Sequence, residues 1–173
     1  MRMKTARHTR IGTVLGEVTL VADGGGLAGL YFPGHRPLPD ASAFGERVDA
    51  GADGVLARAG AELEEYLAGR RRSFGVPLST RGDAFSERVW ALLAEIPYGR
   101  TIGYGALAER LGDRRAARRV GRAVGRNPLC VFLPCHRVVG ADGSLTGYAG
   151  GLERKRWLLE LEEPAEAAAS RLF

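Results

Sequence analysis

Residues 101–126 read TIGYGALAERLGDRRAARRVGRAVGR, a stretch that predicts two short helices joined by a glycine-containing turn. Thr101 is a candidate cap for the first helix, which carries Leu107 and stops at Gly112. The second helix follows almost at once, over residues 115–126. Two helices in this arrangement outline a helix-turn-helix, although many helical hairpins of this kind bind nothing.

The second helix of the pair has an apolar face and a charged face. The apolar face consists of small side chains: Ala116, Ala117, Val120, Ala123 and Val124. The charged face consists of arginines three or four residues apart: Arg115, Arg118, Arg119, Arg122 and Arg126. A solvated surface helix usually mixes acids with bases, and this helix has no acid. The pattern favours contact with phosphates, with a solvated arginine face as the alternative.

The charge of the whole chain is concentrated around this helix. The 173 residues carry a net charge of +5, whereas residues 110–137 alone hold eight arginines and one acid. Such a local excess predicts a nucleic-acid partner, unless an arginine-rich composition alone produced it. No apolar run approaches the ~18 residues of a membrane helix, and no signal-peptide core follows the start. We therefore expect a cytoplasmic protein that does not bind membranes.

The first half predicts a small antiparallel sheet and one helix. Two strands, at residues 17–21 and 27–32, flank the hairpin sequence Asp23-Gly24-Gly25-Gly26. Apolar residues within 55–67 recur at helical spacing and predict an amphipathic helix that covers the sheet. Alternating apolar residues at positions 74–78 predict a further strand.

The second half is predicted to be mainly helical, and a polar linker at residues 79–83 separates it from the sheet. The linker divides the chain into a sheet-and-helix domain, residues 1–80, and a second domain, residues 81–173. Residues 33–54 are rich in proline, glycine, alanine and aspartate and are expected to form a loop. An apolar stripe over residues 85–96 predicts the first helix of the second domain.

The sequence Pro134-Cys135-His136-Arg137-Val138 follows an apolar run, residues 129–133, that predicts a strand. The histidine and the arginines near Cys135 favour the thiolate, which is the nucleophilic form of cysteine. Cys135 is therefore a candidate nucleophile, whereas Cys130 is expected to be a small buried apolar side chain. Two cysteines form neither a disulfide framework nor a cysteine-rich zinc site, and we predict no metal and no cofactor.

The run PCHRV resembles the active-site signature of the O6-alkylguanine-DNA alkyltransferases, the methylated-DNA–protein-cysteine methyltransferases. The resemblance extends from residue 85 to about residue 162 and includes residues 96–99, Tyr104-Gly105, Ala117-Arg118, Val120-Gly121, Asn127-Pro128, residues 147–152 and residues 155–159. The first half is similar more loosely. The resemblance implies an α+β fold with a ribonuclease-H-like first domain and a winged-helix-like second domain that contains the helix-turn-helix.

The family implies a suicide reaction in DNA repair. The alkyl group of O6-alkylguanine, and as a further candidate of O4-alkylthymine, moves irreversibly to Cys135, so each molecule acts once. In the implied relay, His136 is the base that acts through water, and Glu162 orients it. Glu160 and Glu163 are the alternatives to Glu162 on the same helix.

Other residues acquire roles by the same resemblance. Asn127 organises the active-site turn, and Tyr104 assists base flipping and donates toward the departing guanine. The implied lesion pocket contains Val138, Tyr148, Ala149, Gly150 and Lys155. The small Gly150 predicts that adducts larger than methyl are accepted.

The expected partner is double-stranded DNA with alkylated bases, bound in its minor groove by the second helix of the motif. Arg118 is expected to replace the flipped base in the stack, with a simple phosphate contact as the alternative. The remaining candidate DNA contacts are Ser86, Tyr104, Gly105, Arg115, Arg119 and Arg122. Ser86 is equally explained as a helix cap. We expect a monomer in solution, and cooperative assembly on DNA is an open possibility.

Three other functions fit parts of the sequence. A non-catalytic alkyltransferase-like protein would bind lesions without repairing them, but such proteins lack the cysteine of the signature. A transcriptional regulator would use the helix-turn-helix, but the chain shows no separate effector segment. A cysteine hydrolase would use the thiol and turn over repeatedly.

Overall fold

The computed structural model describes residues 5–164 of the protein. A four-stranded sheet is the main element of the first half of the chain. The strands are β1 (Arg7–Thr13), β2 (Gly16–Asp23), β3 (Gly26–Tyr31) and β4 (Glu46–Arg47), in the order β3-β2-β1-β4. The hairpin between β2 and β3 is confirmed. The prediction of an antiparallel sheet is wrong for one strand, because β4 pairs parallel with β1. The chain returns to that edge through the long loop after β3, which a local sequence pattern does not reveal.

One helix covers this sheet, as the apolar spacing predicts. It is α1 (Gly54–Leu67), and the carboxylate of Asp53 caps it by accepting hydrogen bonds from the N–H groups of Val55 and Leu56, both at 3.0 Å. Its buried side chains include Leu56, Leu63 and Tyr66. Because these residues lie on one face, the helix packs them into the apolar core that the sheet also lines.

The predicted strand at residues 74–78 is wrong. Within this segment only Leu78 forms a bridge to the sheet, with Leu27. The carboxylate of Glu62 accepts hydrogen bonds from the N–H groups of Gly75, at 2.8 Å, and Val76, at 3.0 Å. The backbone donors that a strand would use are therefore bound by a helix side chain.

The second half is mainly helical. Its elements are α2 (Ala84–Leu93), β5 (Ile102–Gly103), α3 (Tyr104–Arg110), α4 (Ala117–Gly125), β6 (Val138–Val139) and α5 (Leu152–Glu162). The predicted helix-turn-helix corresponds to α3 and α4. Thr101 is not the cap of α3, since β5 intervenes, pairs parallel with β6, and leaves Gly103 at the N-cap position.

Both halves contribute to one continuous apolar core. Its fully buried residues come from the sheet and from all five helices: Leu20, Leu27, Leu30, Leu56, Leu63, Leu93, Leu107, Val120 and Leu158. Arg154 on α5 links the halves further, because its guanidinium donates to the carbonyls of Leu15 and Pro33. Among residues 5–164, every helix is too short or too polar to cross a bilayer.

Candidate active site

The segment before Cys135 is a closed turn held by Asn127. The side-chain amide of Asn127 donates to the carbonyl of Leu133 at 2.8 Å, and its oxygen accepts from the N–H of Leu129 at 2.9 Å. Val131, inside the turn, has φ = 75°. The predicted strand over residues 129–133 is therefore wrong, because the backbone reverses and Leu133 N donates to Leu129 O at 2.8 Å.

This turn places Cys135 at a small pocket of about 220 Å³. The pocket is lined by residues from both halves: Arg36, Tyr104, Gly121, Val124, Gly125, Cys135, Gly147, Tyr148 and Ala149. Arg36, which no sequence motif indicated, reaches the pocket from the loop after β3. The backbone N–H of Arg36 donates to the carbonyl of Ala149 at 2.9 Å, which fixes this loop against the pocket wall.

Three of the predicted pocket residues do not line this pocket. Gly150 is buried against Phe32, whose ring carbon Cδ2 would lie 2.5 Å from an added Cβ. Its lack of a side chain thus serves packing, and the acceptance of adducts larger than methyl stays a prediction. Val138 and Lys155 lie behind the pocket, where Lys155 Nζ donates to the carbonyls of Val138 and Thr146, both at 2.7 Å. Burial lowers the pKa of Lys155 to about 8, although nearby Cys135 opposes the change.

The sulfur of Cys135 lies beside a second sulfur. Its Sγ is 3.8 Å from Sγ of Cys130, and both thiols are free and buried. A hydrogen bond from Cys130 lowers the pKa of Cys135, and burial opposes this. Asn127 and the charge of Lys155 lower the pKa further. The surroundings therefore favour the thiolate at Cys135, which is the reactive form.

His136, which follows Cys135 in the chain, forms a buried pair with Glu162, with 2.7 Å between Nε2 and Oε2. Burial lowers the pKa of His136 and outweighs Glu162, which raises it. Burial alone would raise the pKa of Glu162, but hydrogen bonds from His136 and Arg137 lower it to about 2. A neutral imidazole thus donates from Nε2 to an ionised carboxylate. Its buried Nδ1, which has no hydrogen-bond partner within residues 5–164, is left as the proton acceptor.

Two further residues hold Glu162, and neither was predicted from the sequence to do so. Arg137 donates from Nε to Oε1 at 2.7 Å and from its terminal nitrogen to Oε2 at 2.9 Å, a bidentate pair. The hydroxyl of Tyr66 on α1 donates to Oε2 of Glu162. The helical spacing of α1 indicated only that Tyr66 is buried, and Glu160, an alternative to Glu162, is exposed.

The arginine face of α4 and the turn before it is exposed, as predicted. Arg115, Arg118 and Arg122 all lie at the surface, and Arg115 pairs with Asp113 at 3.3 Å. The guanidinium of Arg119 lies 3.8 Å from the centre of the Phe85 ring. This stacking attaches α4 to the first turn of α2 and orients Arg119.

Ser86 is not the cap of α2, and its contact with DNA stays a prediction. Its side chain is buried, and its N–H donates to the carboxylate of Asp83 at 2.7 Å. Asp83 is the cap residue because its backbone is extended just before the helix begins.

Tyr104 begins α3 and lines the pocket together with Tyr148 and Ala149. Its hydroxyl accepts a hydrogen bond from Thr146 at 3.4 Å. A Cβ on Gly121 of α4 would lie 3.7 Å from the Tyr104 ring, so the small residue allows close packing of the two helices. Gly105 faces the guanidinium of Arg114. The part of the chain that the structure describes contains no group of three acidic, histidine or cysteine side chains suited to a metal ion.

The fold and the site define a helical domain of a DNA-binding type, in which a buried cysteine and a histidine–glutamate pair adjoin an arginine-rich helix. The family model for the 6-O-methylguanine DNA methyltransferase DNA-binding domain matches residues 84–164. The methylated-DNA–protein-cysteine methyltransferase of Mycobacterium bovis is 42% identical over 173 residues, covering 96% of this chain and 98% of the relative. The chain belongs to the methylated-DNA–protein-cysteine methyltransferase family.

Solved structures agree with this assignment. The crystal structure of Mycobacterium tuberculosis OGT in complex with DNA has a TM-score of 0.83 and 42% identity, covering 90% of this chain and 92% of that chain. The O6-methylguanine-DNA methyltransferase of Pyrococcus kodakaraensis has a TM-score of 0.51 and 25% identity, covering 91% of this chain and 98% of that chain. The α+β architecture is confirmed by these structures.

Proposed function

We propose that this protein repairs DNA by transferring the alkyl group of O6-alkylguanine to Sγ of its own Cys135. The observation that carries the assignment of the acceptor is the position of that sulfur. It lies at the pocket beside Tyr104, with a histidine–glutamate pair behind it. Direct alkyl transfer to a cysteine is the activity of the family, and the resulting thioether is stable, so each molecule acts once.

The transfer is a displacement at the alkyl carbon. The thiolate of Cys135 forms the new sulfur–carbon bond while the carbon–O6 bond breaks, and the electron pair of that bond stays on the purine. The hydroxyl of Tyr104 lines the same pocket and donates toward the purine, where negative charge develops. A donor at this position stabilises the departing guanine.

His136 and Glu162 supply the proton acceptor. Because Nε2 faces the carboxylate at 2.7 Å, the neutral ring carries its proton there and keeps the lone pair on Nδ1. In the proposed relay, a water molecule passes the proton of the Cys135 thiol to Nδ1. Glu162 then stabilises the imidazolium, and Arg137 and Tyr66 hold Glu162 in position.

Double-stranded DNA with alkylated bases is the proposed partner. We place α4 in the minor groove, with Arg118 entering the stack as the damaged base rotates into the pocket. Arg115 and Arg122 are exposed on the same surface and suit phosphate contacts. Arg119 contributes charge from its position on Phe85. Gly105 lies at the start of α3, where a small residue admits the DNA backbone.

The finer description of the architecture belongs to the same proposal. The order β3-β2-β1-β4 with α1 on one face supports a ribonuclease-H-like first domain. Helices α2 to α4 followed by the strand and turn after residue 138 support a winged-helix-like second domain. We place the boundary between residues 80 and 81. We also propose a cytoplasmic monomer, and sedimentation with and without DNA tests the monomer and any cooperative assembly.

An intact-mass experiment tests the function. The protein is incubated with a duplex oligonucleotide that contains one O6-methylguanine, and peptide mapping locates any added methyl group. We expect one methyl per molecule, on Cys135, with no second turnover and no addition to Cys135→Ser. Repeated turnover without a change in protein mass would instead identify a hydrolase, and lesion binding without transfer would identify a non-catalytic sensor.

A further inference from the structure

We infer that Cys130 is a positioning residue for the transfer, whose thiol donates a hydrogen bond to the sulfur of Cys135 that attacks the lesion. The inference deepens the proposed function and rests on it. The two sulfurs are 3.8 Å apart, within the range of a hydrogen bond between sulfur atoms. In the sequence alone, Cys130 is indistinguishable from a small apolar core residue.

The turn that carries both thiols is rigidly held. Asn127 binds its backbone at Leu129 and Leu133, and the N–H of Cys135 donates to the Leu133 carbonyl at 2.7 Å. Cys130 is 0% exposed. Since both side chains are buried, with Cys135 only 5% exposed, a neighbouring donor has a large effect on the charge of Cys135.

The surrounding groups decide which of the two thiols donates. Lys155 from α5 is the cation that acts on Cys135, and Asn127 also stabilises that thiolate. The groups that face Cys130 are the phenols of Tyr31 on β3 and Tyr148 beside the pocket, neither of which is a cation. The hydrogen bond to Cys135 and then burial keep the pKa of Cys130 well above its ordinary value, although a hydrogen bond with Tyr148 opposes them. The proton therefore stays on Cys130, which makes it the donor.

Removal of this donor has a specific kinetic signature. A hydrogen bond to a charged group contributes about 1.5 kcal/mol or more, which corresponds to about a tenfold change in the thiolate fraction. In Cys130→Ala, transfer at pH 7 falls about tenfold, because less Cys135 is ionised. At high pH, where Cys135 is ionised in both proteins, the two rates converge. A defect in packing would lower the rate at every pH instead.

The experiment compares Cys130→Ala with Cys130→Ser, which keeps a hydroxyl donor of similar size. The pH profile of methyl transfer from duplex DNA is measured for both variants and the native protein. The alkylation rate of Cys135 by iodoacetamide is measured over the same pH range, with Cys135→Ser as the background. We expect the midpoint of both profiles to rise in Cys130→Ala and to stay close to the native value in Cys130→Ser. Lys155, whose pKa is about 8, titrates in all three proteins. Its effect on the pH profiles is therefore the same in each protein and does not contribute to the difference between their midpoints.

Two outcomes overturn the inference. Either the midpoint in Cys130→Ala equals that of the native protein, or Ala and Ser shift it equally, which identifies a packing effect. If the Ala variant does not fold, Cys130→Val supplies a bulkier side chain without a donor and is judged by the same criteria. If the native protein accepts no methyl group, the proposed function fails, whereas the iodoacetamide midpoints still decide the role of Cys130.

Discussion

The hydroxyl of Tyr66 donates a hydrogen bond to the carboxylate of Glu162, although the two residues are 96 positions apart in the chain. The same hydroxyl lies 3.4 Å from Nε2 of His136. Tyr66 belongs to α1, the helix that covers the N-terminal sheet, whereas Glu162 ends α5. The first half of the protein therefore contributes a side chain that contacts the histidine–glutamate pair of the candidate active site directly.

Replacement of Tyr66 by Phe tests this contact. Loss of a hydrogen bond to a buried carboxylate destabilises the protein by about 1–3 kcal/mol and leaves Glu162 less well oriented. We expect the single-turnover transfer rate to fall by about tenfold. Tyr98→Phe is the matched control, because its hydroxyl donates to the Leu161 carbonyl, at 3.3 Å, and not to the carboxylate of Glu162. An equal loss of rate in both variants would contradict the specific role of Tyr66.

Glu162→Gln is expected to slow transfer far more than Glu160→Gln. The amide cannot stabilise an imidazolium at His136, whereas Glu160 is exposed on the outer side of α5. We expect a loss of at least about tenfold at position 162, the effect of one charged hydrogen bond. Single-turnover rates on duplex DNA measure the difference. Similar rates in the two variants would remove Glu162 from the relay.

Because the pKa of Glu162 is lowered in the folded protein, the free energy of unfolding depends on pH in the acidic range. The folded pKa is about 2, against an ordinary value of 4.5, so the unfolded chain binds a proton more readily than the folded one. The stabilisation is present above about pH 4.5 and is lost as the pH falls toward 2. Urea unfolding at pH 7, 4.5 and 3 should give a smaller acid-dependent loss in Glu162→Gln than in the native protein. A parallel pH dependence in both would contradict this contribution.

Gly150→Ala is expected to destabilise the protein through Phe32. The new Cβ would lie 2.5 Å from a ring carbon of Phe32, which is buried and has little freedom to move. Overpacking of this kind costs about 1–3 kcal/mol. Gly60→Ala within α1 is the control, since its nearest neighbour is 3.8 Å away and alanine favours the helix. Denaturant unfolding of both variants gives the comparison, and an unchanged stability of Gly150→Ala would contradict the packing explanation.

Arg118→Ala distinguishes base flipping from phosphate binding. If Arg118 fills the vacated stack, transfer from duplex DNA falls by about tenfold or more, since flipping costs a few kcal/mol. Reaction with the free O6-methylguanine base, which needs no flipping, stays unchanged. Arg122→Ala serves as the comparison: it should weaken DNA binding and reduce the salt slope by about 1. If Arg118→Ala behaves in the same way as Arg122→Ala, Arg118 is only a phosphate contact.

The local features of the fold were predictable from contiguous residues. The spacing of apolar residues predicted α1 and α2, and the glycine-rich turn predicted the hairpin of β2 and β3. These elements depend on periodicity and turn chemistry within one segment. The strands predicted at residues 74–78 and 129–133 failed for the opposite reason. The side chains of Glu62 and Asn127 form hydrogen bonds with the backbone of these two segments. The apolar pattern of a segment does not reveal that a distant side chain will bind its backbone.

The sequence by itself indicated Cys135 as the candidate nucleophile, the histidine beside it and the arginine face of α4, because each lies within one short run of residues. The spacing to Glu162 was also apparent, through resemblance to the family. Only the tertiary structure decided that Tyr66 and Arg137 hold Glu162, that Cys130 faces Cys135, and that Gly150 serves Phe32. Contacts across the core depend on how segments that are distant in the chain pack together. Local sequence patterns predict which side chains are buried, but they do not specify which of these side chains will contact one another.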